Sequence, residues 1–306
     1  MPSKETKSPP TFSPELHKVV ARLSHNADYD GYGVGNLFRG DSMHKSSLRS
    51  LIAFTVVLGF LTITAPLFAA GKESLLYSFN DNGADGYNPY SSLVFDTKGN
   101  LYGTTAHGGA HNGGTVFQLT PENGAWTETI IYSFCSVTGC TDGLAPYAGL
   151  TFDTAGNLYG TTLNGGAYTS ACEGSGCGTV FELSPGTNGT WTENVLYNFC
   201  SVRGCADGFG PQAGLISDAA GSLFGTTYAG GSSGKGCDGY GCGTVFRLTL
   251  GAKGKWKEHV LHKFKPKATD GYWPYAGLIF DASGNLYGTT IYGGAYANGT
   301  VFEITP

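Results

Sequence analysis

The heptapeptide Gly99-Asn-Leu-Tyr-Gly-Thr-Thr105 decides the fold, because it returns three more times along the chain. The later copies begin at Gly156, Gly221 and Gly284, and the third copy carries Ser and Phe in place of Asn and Tyr. The first leucines of successive copies are 57, 65 and 63 residues apart. Self-similarity at such a period is typical of repeat architectures, in which each copy is one supersecondary unit. The sequence after Gly71 therefore predicts four copies of one structural unit.

Each copy contains four strand-like runs. In the second copy they are residues 149–153, 158–162, 179–183 and 191–199. An Asp-x-x-Gly-Asn turn separates the first two runs, and Gly and Asn accept the positive φ that a tight hairpin needs. A second turn signal, Pro-Gly-Thr-Asn-Gly, separates the last two runs. Each copy is therefore predicted to be a meander of four antiparallel strands, the size of one propeller blade.

The two ends of the repeated region predict a closed ring. The fourth copy ends four residues after Gly299-Thr-Val-Phe302, so it contains no run that could form its fourth strand. At the other end, Glu73-Ser-Leu-Leu-Tyr-Ser-Phe79 matches the last strand of the first copy, Glu128-Thr-Ile-Ile-Tyr-Ser-Phe134. Pairing the N-terminal strand with the fourth copy would remove an exposed sheet edge. We predict an all-β fold, a β-propeller of four four-stranded repeats closed by the N-terminal strand; a linear solenoid and a larger ring from two chains are the alternatives.

Composition supports this fold class and excludes one class of partner. The chain has 49 glycines, 13% aromatic residues and only 13% charged residues, as expected for strands joined by many turns. After Gly71 there are 11 Lys and Arg against 18 Asp and Glu. A net negative chain lacks the basic face that nucleic-acid binding requires, so no nucleic-acid partner is predicted. Six lysines between 253 and 267 are interpreted as a solvated hairpin, with an anionic-ligand patch as the alternative.

The N-terminal part predicts export. Leu51–Ala70 is uncharged and long enough to span a bilayer, with Lys45 and Arg49 before it and small residues after it. It is either a cleaved signal peptide or an uncleaved transmembrane helix that anchors the chain, with translation starting at Met1 or Met43. We divide the chain into an N-terminal tail or mis-start with the basic region (1–50), the signal or anchor helix (51–71) and the repeat domain (72–306). The repeat domain is expected outside the cytoplasm, secreted or membrane-attached only through the N-terminal segment.

Eight cysteines lie in the second and third copies, and they accompany loop insertions. They form C-x4-C pairs: Cys135 and Cys140, Cys172 and Cys177, Cys200 and Cys205, Cys237 and Cys242. The loop from Thr-Thr to Gly-Thr-Val has 15 residues in these copies and 8 in the first and fourth. In an exported protein the pairs predict disulfides within each C-x4-C, with pairing between the two loops of one blade as the alternative; zinc is the competing interpretation. The loop that enters a copy is also longer in copies two and three, with 8 positions from Phe to Asp against 6 in the others. Strand parity places both enlarged loops on one side of the ring, which we call the loop face.

The loop face also carries the candidate ligand-binding residues. An Asp-Gly pair enters each copy and is followed by an aromatic or amide residue; the eight positions are Asp85, Tyr90, Asp142, Tyr147, Asp207, Gln212, Asp270 and Tyr275. Asp and Tyr can hydrogen-bond and stack on sugars, and the carboxylates could help to hold Ca²⁺. The structural alternative is that Asp forms an Asx turn and Tyr packs between blades. Trp273 has no counterpart in the other copies and is the single best candidate contact residue.

The same motifs carry a resemblance to a known family. Gly-Asn-Leu-Tyr-Gly-Thr-Thr, Gly-Gly-Ala, Gly-Thr-Val-Phe-x-Leu and Trp-Thr-Glu-x-x-Leu-Tyr-x-Phe recur over residues 73–306. In these motifs the chain resembles the GloVer tandem-repeat proteins, also called choice-of-anchor GloVer-containing proteins. The resemblance implies an exported or surface-attached bacterial repeat protein. It implies no catalytic residues, because no activity is attached to the family.

Two functions are compatible with this pattern. The first is a non-enzymatic binding or adhesion module at the cell surface, with an extracellular ligand for which carbohydrate is the candidate. The second is a secreted carbohydrate-active hydrolase or lyase, which rests on analogy of fold. An enzyme should break the repeat symmetry with unique acids or bases, and no paired carboxylates or triad stand clear of the repeat. The sequence therefore favours binding, with no catalytic residue and no cofactor beyond the calcium option.

Overall fold

The computed structural model describes residues 71–170, 172–231 and 237–306. The predicted N-terminal tail and the signal or anchor helix, apart from residue 71, lie outside the described residues. Nowhere in the described part of the chain is there a helix long and apolar enough to cross a membrane. We call residues 85–134, 142–199, 207–264 and 270–304 repeats 1 to 4.

The described residues are almost entirely strands and loops. The strands of repeat 1 are β1 (Gly86–Tyr87), β2 (Val94–Phe95), β3 (Leu101–Thr105), β4 (His107–Gly108), β5 (Thr115–Glu122) and β6 (Ala125–Ser133). Those of repeat 2 are β7 (Thr151–Phe152), β8 (Leu158–Thr162), β9 (Thr179–Pro185) and β10 (Trp191–Asn198). Those of repeat 3 are β11 (Ile216–Ser217), β12 (Leu223–Thr227), β13 (Thr244–Leu250) and β14 (Trp256–Lys263). Those of repeat 4 are β15 (Gly271–Tyr272), β16 (Ile279–Phe280), β17 (Leu286–Thr290), β18 (Tyr292–Gly293) and β19 (Thr300–Ile304). Single 3-10 turns cover Thr138–Cys140, Thr187–Gly189, Arg203–Cys205 and Ala252–Gly254.

Repeats 1 to 3 each form the predicted four-stranded antiparallel meander. Their sheets have the orders β2-β3-β5-β6, β7-β8-β9-β10 and β11-β12-β13-β14. Repeat 4 forms a three-stranded sheet, β16-β17-β19. In repeats 1 and 4, the short pairs β1-β4 and β15-β18 join the loop that enters the repeat to the loop that follows the second strand of its sheet. The all-β prediction is confirmed, as are the four strands of the first three repeats.

The glycine and the threonines of the Leu-Tyr-Gly-Thr-Thr motif each have a structural reason. A Cβ at Gly160 would lie 2.5 Å from the ring of Phe181, so a residue without a side chain is needed to leave room for that ring. The second threonine pairs across the sheet: Thr162 Oγ1 lies 2.8 Å from Thr179 Oγ1 in a fully buried contact. The first threonine reaches the next repeat, because Thr161 Oγ1 donates to the carbonyl of Ala213 at 3.3 Å. The motif therefore specifies both the sheet and its junction to the next sheet.

The hydrophobic core lies between successive repeats rather than within one sheet. At each junction the phenylalanine that ends the last strand of one repeat packs edge-on against the phenylalanine of Gly-Thr-Val-Phe in the next. The centroid distances are 4.9 Å for Phe134–Phe181, 5.1 Å for Phe199–Phe246 and 5.1 Å for Phe264–Phe302. Each repeat therefore buries its faces only by stacking on its neighbours, as expected for a repeat protein.

The structure differs from the predicted ring closure. Residues 73–79 form no strand, and in the described chain β19 pairs with β17 alone. The N-terminal segment docks instead on repeat 1, where Phe79 packs on Phe117 with centroids 5.0 Å apart. Its docking uses the same phenylalanine contact as the other junctions, but among the described residues no strand of repeat 4 pairs with it. The predicted pairing of the N-terminal strand with repeat 4 is therefore not seen within one chain.

Candidate functional site

The aspartates that enter the repeats are buried and bonded within the scaffold. Asp142 and Asp207 are 2% and 1% exposed. Asp142 accepts hydrogen bonds from the Tyr132 hydroxyl at 2.9 Å and from the backbone and hydroxyl of Ser136 at 2.8 and 2.9 Å. Tyr197 and Ser201 make the same bonds to Asp207. These carboxylates fasten the last strand of one repeat to the loop that enters the next.

The first and last aspartates follow the same plan with different donors. Asp85 accepts from the Tyr77 hydroxyl at 2.9 Å and from the backbone N–H of Asn80 at 2.8 Å. Asp270 lies 3.2 Å from Nε2 of His262 and accepts from the backbone N–H of Lys265. A cation would have to compete with these donors for the same oxygens, so the calcium role of the four aspartates stays a prediction.

The residues that follow the aspartates are more accessible, and they meet in pairs. Tyr90 is 65% and Tyr275 is 38% exposed, while Tyr147 and Gln212 are half-buried. The rings of Tyr90 and Tyr147 lie 5.1 Å apart at a tilt of 33°. Burial raises the pKa of Tyr275, and a hydrogen bond to the side chain of Gln212 opposes that rise. The structure thus joins the candidates of repeats 1 and 2, and separately those of repeats 3 and 4.

The first aromatic group lies at the junction of repeats 1 and 2 on the loop face. The Tyr87 ring stacks on the His107 imidazole with centroids 5.4 Å apart, which follows from the pairing of β1 with β4. The imidazole in turn meets the Tyr147 ring edge-on at 6.4 Å. With Tyr90 these side chains form a continuous aromatic surface, which we call aromatic group A.

The second aromatic group is centred on Tyr228, at the junction of repeats 3 and 4. The Tyr228 ring lies 5.6 Å from that of Tyr275. Burial raises the pKa of the Tyr228 hydroxyl, and the neighbouring Tyr275, Tyr240 and Glu173 raise it further. The Tyr240 hydroxyl donates to Glu173 at 3.0 Å and so links the two disulfide-bonded lobes. We call Glu173, Tyr228, Tyr240 and Tyr275, with Gln212, aromatic group B.

Sequence analysis did not identify the centre of aromatic group B. The position of Tyr228 is occupied by Ala106, Leu163 and Ile291 in the other repeats. An aromatic residue without a counterpart was the criterion that selected Trp273, and the same criterion would have selected Tyr228. Glu173 and Tyr240 lie inside the loop insertions, where the repeat offers no reference for comparison.

Trp273 packs at the junction of repeats 3 and 4. Its indole N–H donates to the carbonyl of Gly241 at 3.2 Å, and its backbone N–H donates to the carbonyl of Cys242 at 2.9 Å. The half-buried ring packs against the cluster that contains Cys237 and Cys242. Its backbone has φ 59°, where the matching positions hold Asn88, Ala145 and Gly210. A bulky residue in this region is strained, so its contacts must hold it there.

The disulfides join the cysteines within each C-x4-C pair: Cys135–Cys140, Cys172–Cys177, Cys200–Cys205 and Cys237–Cys242. The prediction of disulfides is confirmed, and of its two pairings the structure shows the local one. The sulfur atoms of Cys177, Cys200 and Cys205 lie within 4.8 Å of one another, so two of the bonds pack together where repeats 2 and 3 meet. Four disulfides indicate an extracellular or periplasmic protein.

Two grooves lie on the opposite side, which carries the tight turns and which we call the turn face. A groove of about 550 Å³ is lined by Glu182 and Asn194 of repeat 2 and by Trp256 of repeat 3. A second, of about 340 Å³, is lined by Asp153, Tyr159 and Asp218, among others. Both lie between repeats 2 and 3, so the turn face also offers side-chain surface there.

A glutamate in the last strand of repeats 1 to 3 is held in an unfavourable environment. In Glu128, Glu193 and Glu258 one buried carboxylate oxygen has no hydrogen-bond partner among the described residues. Burial raises the pKa of Glu128 and Glu258 to about 7 and of Glu193 to about 8. The aspartate that enters the same repeat adds to the rise in Glu128 and Glu193, through repulsion by Asp85 and Asp142.

Comparison with solved structures finds partial matches at low identity. Pseudomonas fluorescens PhoX, solved in complex with vanadate, aligns with 70% of this chain and 52% of its own, at 11% identity and a TM-score of 0.43. A bifunctional GH43-CE protein of Bacteroides eggerthii aligns with 64% of this chain and 21% of its own, at 17% identity and a TM-score of 0.34. The chain thus spans about half of the first structure and about a fifth of the second. No inference about activity follows from similarity at this level.

Comparison of sequences gives a definite family. None of the curated proteins matches this chain significantly. The model of the Gloeobacter/Verrucomicrobia repeat matches residues 62–238, more than half of the 306 residues. The matched region contains the first three Leu-(Tyr/Phe)-Gly-Thr-Thr copies, which carried the resemblance seen in the sequence. This chain therefore belongs to the Gloeobacter/Verrucomicrobia repeat family.

Proposed function

We propose that residues 72–306 form an exported, non-enzymatic binding module whose loop face recognises an extracellular glycan. The observation that carries the proposal is the pairing of an exposed tyrosine with a half-buried one across two junctions, Tyr90 with Tyr147 and Tyr275 with Tyr228. Aromatic rings offer flat apolar surfaces with a hydroxyl at the edge, which suits a sugar ring that is apolar on its faces and polar on its rim. Within group B, Gln212 and Glu173 add hydrogen-bonding groups.

The scaffold for this site is a β-propeller in the proposal. Each described sheet is a meander that stacks on the next through the same phenylalanine contact, which is how propeller blades are arranged. Segment 73–79 supplies the missing fourth strand of a repeat 4 sheet. Its docking supports this role, because Tyr77 and Phe79 make the contacts to Asp85 and Phe117 that a last strand makes at the other junctions.

The proposed location is the outside of the cell. The disulfides need an oxidising compartment, and Leu51–Ala70 provides the export signal or, if uncleaved, the membrane anchor. A module of this kind would act in adhesion or in capture of glycans at the cell surface.

The alternative is a carbohydrate-active hydrolase or lyase that uses the same face. One observation favours it: Glu173 is a carboxylate without a counterpart in repeats 1 and 4, and it adjoins Tyr228. Glycoside hydrolysis usually needs two carboxylates flanking the bond, about 5 to 10 Å apart. Glu173 acts on both Tyr228 and Tyr240, and Asp238 acts on Tyr240, so an assay for hydrolysis decides between the two functions.

A glycan array with the exported protein tests the proposal. Tyr90→Ala and Tyr275→Ala should each weaken binding to the glycans that score by about 1–3 kcal/mol, as anchor residues do. Leu250→Ala, a change at an exposed residue on the turn face, is the matched control and should leave binding unchanged. Glycan binding that survives both tyrosine substitutions would contradict the proposal. Release of new reducing ends from the bound glycans would favour the hydrolase instead.

A further inference from the structure

We propose that a second copy of this chain covers the two end faces of the repeat array, so that copies associate head to tail. The outgoing face of a repeat is the side that meets the following repeat, and the incoming face is the side that meets the preceding one. The proposal joins the outgoing face of repeat 4 in one copy to the incoming face of repeat 1 in the other. It concerns assembly and goes beyond the proposed function, with which it shares only the propeller scaffold.

The exposure of equivalent residues identifies the unsatisfied faces. The leucine that precedes the first strand lies on the incoming face, and Leu150, Leu215 and Leu278 are 9%, 4% and 3% exposed. Its counterpart in repeat 1, Leu93, is 48% exposed. The valine of Gly-Thr-Val-Phe lies on the outgoing face, and it is fully buried in repeats 1 to 3 but 80% exposed as Val301 in repeat 4. Residues at these two positions are buried at the three junctions and exposed at the two ends of the array.

The aromatic residues at the two ends are matched to each other. At the junction of repeats 1 and 2, the Tyr102 ring meets the Phe152 ring edge-on at 5.2 Å. Phe224 and Phe280 repeat this contact at 5.2 Å between repeats 3 and 4. The corresponding ring on the outgoing face of repeat 4 is Tyr287, and on the incoming face of repeat 1 it is Phe95, which is 63% exposed. A head-to-tail contact would pair these two rings in the same way.

The polar groups at the ends are matched as well. A buried threonine hydroxyl crosses each junction; the bonds run from Thr104 to the Ala148 carbonyl, from Thr161 to Ala213 and from Thr226 to Ala276. The equivalent hydroxyl in repeat 4 belongs to Thr289, which is exposed, and the equivalent carbonyl belongs to Ser91.

A backbone bond adds a second polar match. It crosses each junction from an N–H to a loop carbonyl of the preceding repeat; the bonds run from Ala145 to Gly113, from Gly210 to Cys177 and from Trp273 to Cys242. Its counterparts at the ends are the N–H of Asn88 and the carbonyl of Asn298, both in exposed residues. The two end faces therefore carry complementary halves of one junction, polar groups included.

The geometry of the junctions explains why the chain does not cover its own ends. The phenylalanine contacts at the three junctions agree within 0.2 Å in centroid distance, from 4.9 to 5.1 Å, and their interplanar angles run from 63° to 66°. A constant junction fixes a constant rotation between repeats, and after four repeats Leu93 and Val301 are still exposed. A second copy can meet both faces through that same junction, with segment 73–79 of one copy beside β19 of the other. Such a head-to-tail contact either closes into a ring or extends into a filament, and a ring leaves no exposed apolar end.

Sedimentation of the exported protein and of two single variants tests the proposal. The wild type should sediment as a discrete oligomer of at least two chains. Leu93→Asp and Val301→Asp each place a charge in one face, so each variant alone should lose the oligomer. Each variant keeps the opposite face, so an equimolar mixture should recover a dimer with one junction. Leu250→Asp introduces the same charge at an exposed residue outside both faces and should keep the wild-type mass.

The result that overturns the proposal is a monomeric wild type, or single variants that keep the oligomer, or folded variants that do not combine on mixing. Thermal melting followed by circular dichroism establishes that the variants are folded. Thr289→Val provides a conservative second variant, because it removes only the hydroxyl that should cross the junction. It should raise the dissociation constant of the oligomer several-fold while the melting temperature of the separated chains stays unchanged; an unchanged dissociation constant would contradict the predicted junction. Glycan binding through Tyr90 and Tyr275 is measured separately, so the two proposals fail independently.

Discussion

Repeats 2 and 3 differ from repeats 1 and 4 in two ways, although all four share one motif. The inner repeats bury both of their faces against neighbours, whereas repeats 1 and 4 each leave one face exposed at Leu93 and Val301. The inner repeats also carry the enlarged, disulfide-bonded loops. The comparison teaches that contacts between repeats stabilise the scaffold, while the loops are free to vary. Stability and recognition therefore depend on different parts of the same unit.

The largest expected effect is the loss of an inner phenylalanine. Phe181 is fully buried at the junction of repeats 1 and 2. Phe181→Ala should lower the free energy of unfolding by about 4 kcal/mol through lost burial and an unfilled cavity. Phe302→Ala, the same change in repeat 4 where the residue is half-buried, should cost about half as much. Chemical denaturation measures both, and equal losses would contradict the difference between inner and end repeats.

Trp273 tests whether the aromatic residues of repeat 4 stabilise the junction or contact a ligand. Trp273→Ala should lower the free energy of unfolding by about 3 kcal/mol, because the indole packs on repeat 3. Trp273→Gly should lower the free energy of unfolding by about 0.5–1 kcal/mol less than Trp273→Ala does, because glycine adopts the positive φ without strain. Denaturation and glycan binding are compared on the same variants. A stable Trp273→Ala protein with weakened binding would assign the residue to the ligand instead.

Each disulfide should contribute modestly to stability, because each closes a short loop. Replacing Cys200 and Cys205 with serine releases a short loop, and short loops give modest stabilisation, about 2 kcal/mol. The Cys135–Cys140 bond closes an equivalent loop and serves as the comparison for position in the array. Unfolding of the two double variants in denaturant measures the loss. A loss much greater for Cys200 and Cys205 would indicate that the packed sulfurs with Cys177 also stabilise the junction of repeats 2 and 3.

A separate effect is a dependence of stability on pH, carried by one glutamate in each of repeats 1 to 3. Burial raises the pKa of Glu128, Glu193 and Glu258 to about 7, 8 and 7 in the folded state, above the value of about 4.3 in an unfolded chain. The unfolded chain therefore releases these protons first, and stability should fall as the pH rises from about 4 to about 8. Melting temperatures at pH 5 and pH 8.5 measure this fall. Replacing the three glutamates with glutamine should flatten the profile, whereas Glu122→Gln, at an exposed residue, should not.

Much of the fold could be predicted from the sequence, because its signals are local and repeated. The motif at 99–105 and the turn residues located the strands of repeats 1 to 3, and the C-x4-C spacing limited the disulfide pairings. The candidate site was predicted in part. Tyr90, Tyr147, Gln212 and Tyr275 were found because they occupy one repeated position.

The features that could not be predicted depend on contacts between repeats, and a local stretch of sequence does not show those contacts. Tyr228 contacts Tyr275 across a junction. Glu173 accepts a hydrogen bond from Tyr240 where two loop insertions meet, and the path of such insertions cannot be predicted from the sequence. The buried state of Glu193 likewise depends on the sheet packed beside it. Ring closure was predicted from matching strand sequences, but the rotation at each junction decides whether one chain can close, and that rotation is a property of side-chain packing.

Mapping the bound glycan by hydrogen–deuterium exchange tests the central claim most directly. The account predicts that the ligand found on the array slows exchange in the loops of the loop face, at aromatic groups A and B around Tyr90 and Tyr228. Protection confined to the turn face, in the grooves beside Trp256 and Tyr159, would contradict it.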